Sequence, residues 1–180
     1  MPNKPTYVLW LLLGLLLTAC ATAQQSGTPD TVPDRGKITS LQNDLAVLNG
    51  QTDVAEAEKV AHTAVTYSSR LAREYRVVRP AVLHNVLVRA GLRERGLCHH
   101  WTTDLMQQLE LLQLKSYQLH WGVAHRGSEL REHNSVVITA SGQRFEDGIV
   151  LDPWRNSGKL YWARVKNDRY PWQERPRNEW

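Results

Sequence analysis

The chain holds only two cysteines, Cys20 and Cys98, among 180 residues. Two thiols cannot build the several-bridge framework of a small secreted domain or a four-cysteine metal site. Long apolar runs are also missing. The longest, Val8 to Leu17, falls well short of the roughly 20 residues that a membrane-spanning helix needs. Charge of one sign scarcely predominates, with 22 Lys and Arg against 18 Asp and Glu, a formal +4. Lys4 is the only charged residue before Cys20, so this +4 becomes +3 without it. No nucleic-acid-binding motif accompanies so mild an excess, which argues against a nucleic-acid binder. There is no internal repeat, which excludes a solenoid or propeller.

The N-terminal segment reads as an export signal. Lys4 supplies the positive start, an apolar run follows, and Thr18 and Ala19 precede Cys20. Leu17-Thr18-Ala19-Cys20 resembles a bacterial lipobox. That resemblance implies a signal peptide over 1–19 and acylation of Cys20, palmitate among the chains. It also implies tethering to a membrane, since several acyl chains at about 0.8 kcal/mol per buried methylene hold a protein there. Ala21 is not the aspartate of inner-membrane retention, so the resemblance implies the periplasmic face of the outer membrane. The rival is an ordinary leader cut near Ala19 or Ala23. Residues 20–36 are rich in Gln, Ser, Thr, Pro and Gly and read as the lipidated cysteine and a flexible tether. Its 16 residues beyond Cys20 reach at most about 50–60 Å. Residues 37–180 then form one domain with room for a single core.

Within that domain the apolar period changes. Val54 to Tyr75 carries helical spacing through Val54, Ala57, Ala61, Ala64 or Val65, Leu71 and Tyr75. Pro80 opens a second helix through Leu83, Val86, Leu87 and Ala90. A third runs from Cys98 to Leu114, with Cys98, Trp101, Thr102, Leu105, Leu109 and Leu112 on one face. Short β-branched or aromatic runs follow: Tyr117 to Ala124, Ser135 to Ala140, Phe145 to Leu151 and Leu160 to Val165. Helices first and strands later predict an α+β domain, N-terminal helices packed on a small antiparallel sheet. Tyr170 to Trp180 is predicted to wrap the surface.

Three side chains carry chemistry. A tight turn at Ser141-Gly142 sets His133 opposite Val150, the alternative being a bulge or second turn at Asp147-Gly148 that shifts the register by one or two. Asp152 is then a diagonal neighbour of His133 on the same face, close enough to accept its ring N–H. Cys98 begins a helix, where free N–H groups and the dipole lower a thiol pKa. A neighbouring imidazolium would lower it further, and the first N–H groups of the helix suit a developing oxyanion.

Gly96-Leu97-Cys98-His99-His100-Trp101 resembles the Gly-x-Cys-x-x-aromatic helix start of the bacterial transglutaminase-like branch of the papain-fold cysteine enzymes. His133 opening a strand and Leu151-Asp152-Pro153 closing the next resemble the His strand and Asp-Pro element of that family. The resemblance covers about residues 80–155. It implies a transglutaminase-like, papain-like core, with Cys98 as nucleophile, His133 as base and acid, and Asp152 orienting the ring. Acyl transfer or hydrolysis at an amide follows, on a peptide, protein or peptidoglycan, with no cofactor. The sequence departs from the pattern at Ser135, where an aromatic often stands, and no glutamine precedes Cys98 to serve as a papain-type oxyanion donor. The chain as a whole resembles proteobacterial lipoproteins, which names no substrate.

Rival expectations attach to the same residues. A lone cysteine on an apolar helix face is commonly a small core residue. Cys98, His99, His100, His120, His125 and His133 are a zinc-ligand set by type, though His120 and His125 fall on opposite strand faces. The sequence predicts no metal. Trp101 and Trp154 are weak substrate-binding candidates, within a wider set of Trp121, Trp154, Trp162, Trp172 and Trp180 that suits a peptide or glycan groove. The arginine clusters at 89–95 and 164–177 are a solvated surface or a contact for an anionic envelope polymer. The alternative to an enzyme is a catalytically inactive envelope binding or scaffold lipoprotein with the same fold.

Overall fold

The computed structural model describes residues 34–180. The leader, Cys20 and the tether up to Pro33 lie outside the described residues. Among those described are four α-helices followed by five strands. Helix α1 spans Arg35–Ala46 and is capped by the Asp34 carboxylate, which accepts from the Lys37 N–H. Residues 34–36, assigned to the tether from composition, therefore begin the fold. This helix was missed because its inward face rests on few large groups, chiefly the fully buried Leu41 and Leu45.

Helix α2, Val54–Glu74, is capped by Asp53. Its inward stripe is mostly small (Ala57, Val60, Ala61, Ala64, Val65, Ser68, Leu71), which lets neighbouring elements approach closely. Val54, expected on that stripe, is exposed in the first turn. Helix α3, Ala81–Arg89, departs further from expectation. It buries Ala81 and His84, while Val82, Leu83 and Val86 face outward. His84 satisfies backbone on both sides, accepting from Val78 N–H and donating to the Arg95 carbonyl. A polar side chain thus replaces the apolar face expected there. Helix α4, Cys98–Glu110, ends before Leu114, and Gln113 beyond it has a left-handed φ of 50°.

The sheet is antiparallel and open, in the order β4-β3-β2-β1-β5. Its strands are β1 (Tyr117–Ala124), β2 (His133–Ala140), β3 (Ile149–Asp152), β4 (Tyr161–Arg164) and β5 (Trp172–Arg175). The domain is thus α+β, with α1, α2 and α4 packed on one face of the sheet. Leu41, Leu45, Val60, Leu105 and Leu109 pack there against Trp121, Val136, Ile138 and Leu151. The opposite face carries a smaller cluster of Ala124, Val137, Phe145, Val150, Val165 and Trp172.

Two expectations about the strands are corrected. Phe145–Asp147 is a 3-10 turn rather than the start of a strand. Gly148 beside it passes so close to β2 that a Cβ would stand 2.8 Å from the Ile138 carbonyl oxygen. As a result β3 pairs Val150 with Val137, four residues from the His133 partner that a tight hairpin sets. The C-terminal segment is also more than a surface wrap, because β5 pairs with β1 and buries Trp172.

Candidate active site

Gly96, at φ 120°, turns the chain into α4 where a Cβ would stand 2.2 Å from His84. The turn is bound by His100, whose Nδ1 accepts from the Gly96 and Leu97 N–H groups at 3.1 and 3.3 Å. His100 takes the place of the glutamate in a capping box. Accepting at Nδ1 requires the neutral ring. Burial first, then the charges of His99 and Arg95, push its pKa down to about 4. The unfolded chain, with the ordinary value of 6.5, takes up that proton first on acidification. Stability is therefore full above pH 6.5 and falls toward pH 4. His100→Asn, with Oδ1 standing near the position of Nδ1, is expected to flatten that dependence. Between pH 7 and 5 the wild-type melting temperature should drop about 2–4 °C more than the variant's, equivalent to roughly 1 kcal/mol. Equal slopes by calorimetry would count against the cap.

Cys98 is the first residue of α4 and its side chain is half-buried. It lies in a groove of about 660 Å³ with His133 and Trp154. Val82 and Arg89 of α3 form one wall, and the loop Gly127–Glu132 forms the other. Leu130, 81% exposed, stands on that loop.

His133, the first residue of β2, is buried. Its Nε2 donates to Asp152 Oδ2 at 2.7 Å. That bond leaves Nδ1 as the acceptor nitrogen of the neutral ring. Nδ1 is buried and has no hydrogen-bond partner among the described residues. No full-geometry bond joins it to the Cys98 sulfur, but the two groups are near enough to alter each other's titration. Burial alone would raise the thiol. Contacts with His133 and His99, the imidazolium charge and the Asn134 backbone N–H outweigh it and push the pKa down to about 6. Burial alone would lower the ring. The Asp152 charge and hydrogen bond, with the sulfur, outweigh it and push the pKa up to about 9. Between these values the stable pair is thiolate and imidazolium. The rings of Trp154, Tyr170 and Trp172 stand 4.7, 4.9 and 5.3 Å from the His133 ring, an environment that favours a cation.

Asp152 is fully buried and held on several sides. Its Oδ1 accepts from Arg155 N–H at 3.0 Å and its Oδ2 from Arg155 Nε at 3.0 Å. The other end of Arg155 grips Asp168 through two bonds of 2.8 and 2.6 Å. Asp168 also accepts from Trp172 Nε1 at 2.8 Å. The chain His133–Asp152–Arg155–Asp168–Trp172 thus fixes the ring, its carboxylate and an aromatic wall together. Although burial opposes both charges, Arg155 is held above the usual arginine value by Asp168 and Asp152. Asp168 is held below the usual carboxylate value by Arg155 and Trp172.

Comparison with models of known families, with curated proteins and with solved structures gives no match.

Cys98, His133 and Asp152 therefore converge, as the residue order and helix start led one to expect. Trp154 lines the groove, its Nε1 donating to Asn85. Trp101 does not: it is buried edge-on to Tyr75 and its Nε1 donates to the Gly96 carbonyl, so its role is to brace the turn. Trp121, Trp162, Trp172 and Trp180 give their N–H groups to Asn134, Asp44, Asp168 and Arg175. Among the described residues no three His, Cys, Asp or Glu side chains come together as metal ligands. His120 instead joins Glu174 and Thr139. Asn134, Arg155, Asp168 and Tyr170 were not singled out from sequence. Arg155, three residues after Asp152, was the one within reach of a local argument.

Proposed function

We propose that this domain is a thiol hydrolase or acyltransferase acting on amide bonds through Cys98, His133 and Asp152, within a transglutaminase-like, papain-like core. His133 Nδ1 accepts the thiol proton. The sulfur attacks the amide carbonyl, an S–C bond forms, and the carbonyl pair moves onto oxygen. As the tetrahedral species collapses, the C–N bond breaks and His133 returns the proton to the leaving amine. Water or a second amine then displaces the sulfur from the thioester, with His133 as base. Asp152 keeps the ring in the required tautomer throughout. The sequence is complete without a cofactor.

The observation that carries this reading is His133 itself. One nitrogen is bonded to a buried carboxylate, and the other is buried, unpartnered and in the groove with a thiol at a helix start. A merely structural histidine would have both nitrogens satisfied, as His84 does. With the lipobox-like Cys20, the reading extends to a lipid-anchored enzyme of the cell envelope, with a peptide, protein or peptidoglycan substrate.

Incubation with p-nitrophenyl acetate is expected to leave one acetyl group on Cys98, located by peptide mass spectrometry. Cys98→Ser should melt within about 2–4 °C of wild type and carry no adduct at that position. An acetylated serine, or a wild-type Cys98 no more reactive than a free thiol, would instead favour a binding or scaffold protein with the same fold.

A further inference from the structure

The groove holds a further polar side chain aimed at the sulfur, beside the Glu132 carbonyl that accepts from Cys98 Sγ at 3.8 Å. Asn134 Nδ2 donates to Cys98 Sγ at 3.9 Å. Which end of the amide faces the sulfur is fixed by Trp121, whose indole is a donor only and donates to Asn134 Oδ1 at 2.7 Å. The NH2 group must therefore point at the thiol. Its other hydrogen reaches Glu132 Oε1 at 3.4 Å. Asn134 and Trp121 are both buried, 5% and 7% exposed, and both lie within the central β1–β2 pairing, so the amide is rigid and poorly hydrated. Cys98 and His99 also carry first-turn N–H groups of α4, which have no carbonyl partner within the helix.

Resting on the thiol-acyltransfer reading above, we propose that Asn134 is a catalytic residue, the side-chain donor to the oxyanion formed when Cys98 attacks a carbonyl, with Trp121 as its positioning residue. Before attack the amide bonds the thiolate. As the S–C bond forms, negative charge leaves sulfur for the former carbonyl oxygen, which is bonded to the carbon the sulfur has just joined. The amide N–H stays in place and serves that oxygen beside the sulfur, with first-turn N–H groups of α4 as the backbone donors. No proton is transferred to Asn134, and it is regenerated when the C–N bond breaks. A rigid donor within the barely solvated groove base is well suited to charge that exists only transiently.

The test compares two reactions of one sulfur. Iodoacetamide alkylates a thiolate without forming an oxyanion, whereas p-nitrophenyl acetate acylates it through one. In the full chain, Asn134→Ala is expected to slow acetylation of Cys98 by about 10²-fold, the effect of losing one oxyanion donor. Alkylation should change by no more than about threefold, since only one hydrogen bond to the thiolate is lost. Trp121→Phe, which keeps Asn134 but frees its amide, should slow acetylation by about tenfold and again spare alkylation. Parallel loss of both reactions in both variants, or unchanged acetylation in Asn134→Ala, would overturn the assignment. If wild-type Cys98 lacks rapid alkylation at pH 7, the thiol-enzyme reading fails first, and the two failures are told apart. Alkylation itself guards against a folding artefact. An Asn134→Ala chain that still alkylates within about threefold of wild type has an intact thiol site, so its slowed acetylation reports the missing donor.

Discussion

Replacing His133 with alanine is expected to move the midpoint of Cys98 alkylation from about pH 6 to 9 or above. The variant removes the imidazolium but leaves the burial that raises the thiol. At pH 7 the thiolate fraction should fall by about two orders of magnitude. Part of that loss returns in the alkylation rate, because a more basic thiolate is intrinsically more nucleophilic. Acylation has no such compensation, for the ring must also protonate the leaving group, and it should fall by about 10²–10⁴-fold. The wild-type profiles should differ in shape. Alkylation rises through about pH 6 and stays high. Amide cleavage rises through about 6 and falls through about 9, where the ring loses the proton the leaving amine needs. Rates with iodoacetamide between pH 5 and 10 settle the first point. A variant midpoint still near 6 would show that the ring does not govern the thiol.

The largest stability effect is expected at Arg155. Its side chain is 8% exposed, Asp152 is 0% and Asp168 is 1% exposed, so one buried cation is shared by two buried carboxylates. Arg155→Met removes the cation, leaves Asp168 with no positive partner and Asp152 with His133 alone, and should cost about 3–5 kcal/mol. For a domain of this size that is a drop in melting temperature of roughly 10 °C. Arg155→Lys keeps the charge but not the fork that bonds both aspartates, nor the guanidinium stacked 3.9 Å from the Tyr161 ring centre. It should recover only part of the loss. Calorimetry of the two variants reads this directly. Full recovery by lysine would show that charge alone matters at this point.

The site was legible in sequence to the extent that parity rules held. Placing His133 and Asp152 on one face required Asp152 to stand an even number of residues from the strand partner of His133. The assumed register was four residues off, because Phe145–Asp147 coils into a 3-10 turn before Gly148. A slip of four keeps every side chain on its face, so the contact survived for a reason other than the one first given. Cys98 was legible because its helix begins where glycine and an apolar period coincide. Helix α1 was not, since its inward side rests on little beyond Leu41 and Leu45 and its polar start resembles a spacer. The outward Val82, Leu83 and Val86 of α3 misled for the opposite reason, as an apolar face with a buried histidine behind it reverses the usual rule. Asp168 and Tyr170 could not have been found, because nothing local links them to Asp152, and Trp172 was named only as one of five groove tryptophans. Only the pairing of β5 with β1 brings that segment back.

The return of β5 also sets an order in time. Synthesis delivers Cys98 first, then His133, then Asp152, and only afterwards residues 168–175, which supply the arginine's second carboxylate and two of the three rings around the imidazole. Until that stretch has emerged and docked, the earlier pieces lack the surroundings that hold a cation beside sulfur. On the proposed reading, a nascent chain halted before it is expected to carry a thiol of ordinary reactivity, and activation arrives with the closing strand rather than with Cys98.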